Sequence, residues 1–121
     1  MTIALWIIGG LLAAIYLFAG FTKALTPKPK LLKQMPYTED FSAWQVKATG
    51  IVEILGAVGL IVPKLTGIVP ILTPIAALAL AVVQIVAIIV HVRRKEYSLG
   101  MNVALLVAAL FVGIGWLVVG L

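Results

Sequence analysis

The sequence contains no cysteine and one histidine, and these absences narrow the chemistry open to the chain. Without cysteine there is no disulfide, no thiol redox chemistry and no thiolate metal ligand. One histidine cannot supply a bis-histidine haem or, without cysteine, an iron–sulfur centre or an ordinary structural zinc site. We therefore expect no metal and no intrinsic cofactor.

Motifs of the familiar enzyme classes are missing as well. The sequence has no G-x-S-x-G, no P-loop and no GxGxxG after a predicted strand. The few polar residues do not form a recognisable pair of nucleophile and base. We predict no catalytic residues, and we do not expect the chain to be an enzyme on its own.

Charged residues are scarce, at 11% of the chain, whereas 64% is hydrophobic and the mean hydropathy is +1.23. Residues 3–21, 65–90 and 97–121 contain no Asp, Glu, Lys or Arg, and each run is long enough to cross a bilayer. A fourth run, 43–62, is apolar apart from two charges. The sequence predicts an all-α fold, a single membrane domain over 1–121 that forms an antiparallel bundle of four transmembrane helices. The predicted helices span about 3–24, 43–62, 70–92 and 98–121.

The net charge of +5 is distributed unevenly along such a bundle. Eight of the nine basic residues would lie on one side of the membrane, and Lys64 on the other. The positive-inside rule then makes both loops on the first side cytoplasmic and both termini external, in a prokaryotic inner (plasma) membrane. Basic residues beside a membrane usually set the topology of the protein and bind anionic lipids, so we expect no nucleic-acid partner. The eight residues are Lys23, Lys28, Lys30, Lys33, Lys47, Arg93, Arg94 and Lys95.

Local signals predict how the helices begin and end. The cytoplasmic loop 25–42 contains three prolines, which prevent a continuous helix, and residues 30–35 have the pattern of an interfacial helical turn. Ser42, three residues before a glutamine, resembles the start of a capping box. We predict that Pro63 ends the second helix and that the third begins, or is kinked, near Pro70.

Small and polar residues recur at helical spacing on one face of each predicted helix. Helix interfaces in membranes favour small residues, which permit close approach, and polar residues, which can pair. The faces are Gly9, Ala13, Tyr16, Gly20 and Lys23; Val46, Gly50, Glu53, Ala57 and Leu60; Ala77, Ala81, Gln84, Ile88 and His91; and Asn102, Leu106, Ala109, Gly113, Trp116 and Gly120. We predict that all of these faces point into the bundle.

Depth along the helices groups the polar residues into two layers. Glu53 lies six residues beyond Lys47, hence about 9 Å deeper in the membrane. Gln84 lies seven residues from His91, hence about 10 Å deeper. Tyr16 likewise lies seven residues from Lys23. The predicted intramembrane cluster consists of Tyr16, Glu53 and Gln84. The predicted layer nearer the cytoplasm consists of Lys23, His91 and Asn102.

Glu53 has two interpretations that the sequence leaves open. It is either a structural carboxyl, protonated and hydrogen-bonded to Gln84 or to a backbone carbonyl, or a functional group in a proton relay or ligand contact. For the other polar residues we favour structural roles. Lys23 is predicted to be an anchor that extends toward the membrane surface, His91 a helix-end residue, and Tyr16 a packing residue.

Three segments carry a resemblance to a known family. They are FAGFTKAL at 18–25, GIVEILGAVGLIVP at 50–63 and AIIVH at 87–91 with the charged loop that follows. Together they resemble the DoxX-like family of small four-helix membrane proteins. Position by position, the resemblance picks out Lys23, Glu53, Gly56, Gly59 and His91. With the helical spacing, it makes Gly20, Gly50, Gly56 and Gly59 the predicted helix-packing glycines.

The resemblance implies a redox-linked role, since the family takes its name from a membrane component associated with quinol oxidation. The first hypothesis is therefore an accessory or assembly protein of a membrane complex, with a membrane or cytoplasmic redox protein as partner. The second is a quinone-binding component of a membrane oxidoreductase, in which the electrons come from elsewhere. The third is a small proton-linked transporter or channel, which would require subunits to assemble into a homo-oligomer.

Overall fold

The computed structural model describes residues 1–26, 42–95 and 99–120, and over these ranges the backbone forms four α-helices and no strand. All four are long and apolar enough to cross a membrane. The predicted fold class, an all-α membrane helix bundle, is confirmed. The predicted interfacial turn at 30–35 and most of the loop 25–42 lie outside the described residues. The helices are α1 (Thr2–Leu25), α2 (Ala43–Thr66), α3 (Leu72–Arg93) and α4 (Gly100–Val119).

The start of α2 is the predicted capping box. The backbone N–H of Gln45 donates to the Ser42 hydroxyl at 3.1 Å, and the backbone N–H of Ser42 donates to the side-chain carbonyl of Gln45 at 2.9 Å. These bonds satisfy two N–H groups that the first turn of a helix otherwise leaves without partners. The two residues therefore set the start of α2 at Ala43.

The prediction that Pro63 ends α2 is wrong, because the helix continues to Thr66. A proline in a helix removes the hydrogen bond to the carbonyl four residues earlier. In the last turn this loss affects a single bond, and the Pro63 carbonyl itself accepts from the Gly67 N–H at 3.0 Å. Gly67 ends the helix with φ of 74°, a left-handed conformation that suits glycine. At the other side of the turn, α3 begins at Leu72, with Pro74 in its first turn, where its missing N–H costs little.

Each helix packs against its neighbours in sequence, and α4 closes the ring against α1. The predicted faces largely point inward: all five residues of the α2 face are buried, and so are Gly9, Ala13, Tyr16 and Gly20 of α1. On α4 the prediction fails for Gly120, which is exposed because it lies beyond the last helical residue. The bundle core contains Leu5, Leu12, Tyr16, Ala57, Leu60, Leu80, Ala109 and Val112.

Glycines bring neighbouring helices together at two crossings. A Cβ placed on Gly50 would lie 2.6 Å from the Gly20 carbonyl oxygen, so α1 and α2 touch through their backbones. At the α2–α3 contact, a Cβ on Gly56 would lie 2.7 Å from Leu80, and one on Gly59 would lie 2.8 Å from the Cβ of Ala76. Close approach of this kind is how membrane helices gain packing energy without a hydrophobic effect between them.

The outer surface of the bundle is apolar. Large hydrophobic side chains are exposed along all four described helices, among them Phe18, Leu55, Val82 and Val107. Such a surface would be costly in water and matches the hydrocarbon of a bilayer. The protein is therefore a multi-pass membrane protein whose outer face contacts lipid.

Candidate functional site

Charged and polar side chains meet inside the bundle toward one of its ends. This end, where α1 and α3 finish and α2 and α4 begin, is called the basic end below. Lys23 of α1 donates to Glu53 of α2, with Nζ 2.5 Å from Oε1. The side chain of Glu53 is 2% exposed and that of Lys23 is 11% exposed. The structure therefore contains a buried ion pair within the membrane-spanning region.

The direction of the helices explains why these two side chains meet. Side chains of an α-helix tilt toward its N-terminus. On α1 this tilt carries Lys23 from the basic end into the bundle, and on the antiparallel α2 it carries Glu53 toward the basic end. The expectation that Lys23 extends to the membrane surface is wrong, because its ammonium group turns into the bundle and donates to Glu53.

A second polar pair crosses the centre of the bundle. Gln84 of α3 donates from Nε2 to the hydroxyl oxygen of Tyr16 on α1, over 2.7 Å. Both residues are buried, with 1% of Tyr16 and 6% of Gln84 exposed. Since α1 and α3 run in the same direction, their side chains tilt the same way and can meet at one level.

The predicted cluster of Tyr16, Glu53 and Gln84 is thus not one hydrogen-bonded group, because its members belong to two separate pairs. The structure brings Tyr16 and Gln84 together, whereas the hydrogen-bond partner of Glu53 is Lys23 rather than Gln84. Lys23 belongs to the predicted outer layer by the position of its backbone, but its ammonium group joins the deeper layer. The tilt of helical side chains is a signal in the sequence that places the Lys23 ammonium group near the level of Glu53, but the pairing also requires that α1 and α2 are neighbours.

A cavity of about 560 Å³ lies between the four described helices, next to these pairs. Its wall is mostly apolar, with valines from α2 and α3 and Leu105 of α4. Among the residues that the structure describes, no group of three His, Asp or Glu side chains could hold a metal ion. The wall combines an apolar majority with a few polar groups, as small-molecule sites do. All six predicted polar site residues line the cavity, namely Tyr16, Lys23, Glu53, Gln84, His91 and Asn102.

The end of the bundle opposite the basic end has polar contacts that the sequence did not reveal. Thr73 is fully buried, and its hydroxyl accepts from the Lys64 backbone N–H at 3.2 Å. The Lys64 ammonium lies 4.7 Å from the centre of the Trp116 ring, which packs edge to face against Trp6. These contacts connect α2, α3, α4 and α1 to one another, and we interpret their role as stabilising the bundle.

Comparison with known proteins identifies a family whose sequence model matches the chain. The sequence model of the DoxX-like family matches residues 7–113, a range that includes every residue of the two polar pairs and the polar wall of the cavity. No curated protein and no solved structure matches the chain.

Proposed function

The chain belongs to the DoxX-like family, and from that premise we propose that it is a membrane accessory protein that holds a lipid-soluble molecule between its helices. The observation that carries this proposal is the cavity of about 560 Å³ with an apolar wall and polar side chains grouped on it. An amphipathic molecule would place its apolar part against the valines and its polar head at the buried pairs. A quinone is the redox-linked candidate for this molecule.

An accessory role fits the chemistry of the chain better than independent catalysis. The sequence has no cysteine and one histidine, so electrons for any redox step would come from a partner. Lys47, Arg93 and Arg94 lie at the basic end, beside the cavity lining, where a partner at the membrane surface could reach them. We propose that the partner is a membrane or cytoplasmic redox protein and that the basic end faces the cytoplasm of a prokaryotic cell.

The remaining core favours a binding site over a transport path. Away from the basic end, the described core is packed with apolar side chains such as Leu5, Leu12, Leu60 and Val112, with Thr73 as its buried polar residue. A path for protons or solutes needs polar groups or water along its whole length. The polar groups of the cavity end at the level of Tyr16.

The test is native mass spectrometry of the protein extracted gently from its own membrane. Ala87 lines the cavity and Ala14 is exposed on the outside of α1, so Ala87→Phe fills the site and Ala14→Phe is its matched control. We expect a bound small molecule in the wild type and in Ala14→Phe, and its loss in Ala87→Phe. Equal occupancy in all three proteins, or none in the wild type, would contradict the proposal.

A stoichiometric protein partner in the same spectra would support the accessory role. We expect that partner to remain bound in Ala87→Phe if it contacts the surface at the basic end, since the substitution is internal. Specific transport by the purified protein in liposomes would instead favour the transporter hypothesis.

A further inference from the structure

The Tyr16–Gln84 pair has hydrogen-bonding capacity that the described protein does not use. Gln84 donates to the Tyr16 oxygen, and Gln84 Oε1 is buried with no hydrogen-bond partner among the residues that the structure describes. The Tyr16 hydroxyl, which accepts in this pair, still has its own proton to donate. The second N–H of the Gln84 amide is not used in the bond to Tyr16 either, so the pair offers an acceptor and two donors at the same place.

Unused groups of both kinds remain whichever way the Gln84 amide is turned. With the amide reversed, Tyr16 donates to the amide oxygen, and the unused groups become the two amide N–H groups and a lone pair of the phenolic oxygen. Each arrangement therefore leaves at least one donor and at least one acceptor. A group that both donates and accepts can pair with both kinds.

The residues that carry the unused groups lie at the cavity. Both Tyr16 and Gln84 line it, and the terminal amide torsion of glutamine is soft, so a small rotation presents the amide to a bound molecule. A buried acceptor without a partner is unfavourable, and a ligand that supplies the missing bond recovers that loss. The nearby charges of Lys23 and Glu53 compensate each other as an ion pair, which favours an uncharged ligand.

We propose that the cavity selects an uncharged amphiphile whose polar head is a hydroxyl group, bound by Tyr16 and Gln84, with its apolar part along the valine wall. This inference rests on the proposed function, that the cavity holds a lipid-soluble molecule, and adds the chemical class of the head group. A hydroxyl donates and accepts, whereas a carbonyl or an ether oxygen only accepts. Among redox-linked ligands, the reduced form that carries hydroxyl groups would bind better than the oxidised form that carries carbonyls.

The test compares two probes that differ only in the hydroxyl proton, para-nonylphenol and its methyl ether, para-nonylanisole. The full-length protein in lipid nanodiscs is exposed to an equal mixture of both. Native mass spectrometry gives the ratio of the bound probes, and extraction of the nanodisc lipid gives the ratio available to the protein. We expect the phenol to be preferred about tenfold after this correction, the ratio that corresponds to one buried hydrogen bond.

Two variants test whether Tyr16 and Gln84 cause the preference for the phenol over the ether. The double variant Tyr16→Phe/Gln84→Leu removes both polar groups together, which avoids leaving either one buried alone. We expect it to bind the two probes equally, with binding of the ether within about twofold of the wild type. Ala87→Phe is expected to exclude both probes.

The outcomes separate the head-group inference from the proposed function. Equal binding of phenol and ether to the wild type would overturn the inference and leave the cavity as a ligand site. A preference retained in the double variant would also overturn it, because the hydroxyl would then be recognised elsewhere. Failure of the wild type to bind either probe would overturn the proposed function and this inference together. The comparison within the wild type does not depend on the folding of any variant.

Discussion

Replacing Gly50 by alanine is expected to force α1 and α2 apart at their crossing. The added Cβ would lie 2.6 Å from the Gly20 carbonyl oxygen and 2.8 Å from the Ala24 nitrogen. Both are backbone atoms, which cannot rotate out of the way as the end of a side chain can. Ordinary contact begins at 3.4 Å, so the two backbones must separate by about 0.8 Å.

The cost of this separation is that of overpacking a close interface, about 1–3 kcal/mol in the free energy of unfolding. Gly10→Ala is the matched control, because a Cβ at Gly10 on α1 meets nothing within 4 Å. Alanine is the better helix former, so the control should be neutral or stabilising by up to about 1 kcal/mol. The gain in helix propensity is common to both variants, so they should differ by the overpacking cost, about 1–3 kcal/mol.

Reversible unfolding in mixed micelles, followed by the helical circular dichroism signal, measures this difference. The separation should also weaken the ion pair, since Lys23 lies one turn after Gly20 and Glu53 one turn after Gly50. A double-mutant cycle on the ion pair in the Gly50→Ala background would show a smaller coupling energy. If Gly50→Ala proved as stable as Gly10→Ala, the backbone contact between α1 and α2 would be refuted.

Four further variants test the buried pair and the helix start. Lys23→Met should lower the free energy of unfolding by about 3 kcal/mol, because it leaves the Glu53 carboxylate buried without its cation, and Lys23→Met/Glu53→Gln should recover part of that loss. An unchanged stability in Lys23→Met would mean that Glu53 does not depend on Lys23. Ser42→Ala should cost about 1 kcal/mol through loss of the cap of α2, whereas Ser42→Asp, which can still accept the Gln45 N–H, should cost less. Equal losses in the two Ser42 variants would contradict the capping role.

The two buried pairs have different consequences for the protein. The Lys23–Glu53 pair balances its own charges and links α1 to α2 beside the glycine crossing, so it has a structural explanation. The Tyr16–Gln84 pair leaves hydrogen-bonding groups unused, which structure alone does not explain. In the sequence, Glu53 is the most conspicuous polar residue. In the structure, the Tyr16–Gln84 pair is instead the one that lacks a purely structural explanation.

Several features of the fold were predictable because each is a property of one helix. A long run without charge indicates a membrane span whatever its neighbours are. The spacing of Val46, Gly50, Glu53, Ala57 and Leu60 places them on one face of α2, and all of them are buried. The end of α2 was mispredicted because the effect of a proline depends on how many hydrogen bonds remain beyond it, which a general rule does not specify.

The four membrane spans among the described residues and most of their inward-facing residues follow from the sequence alone, because the length of an apolar run and the helical period are properties of one helix. The choice of partner for each polar residue, by contrast, required the tertiary structure. That choice depends on the order of helices around the bundle and on their relative directions, which tilt Lys23 and Glu53 toward each other and bring Tyr16 to Gln84 across the centre. The cavity was likewise decided by the tertiary structure, since its volume is what remains after four helices pack at distances that individual glycines set.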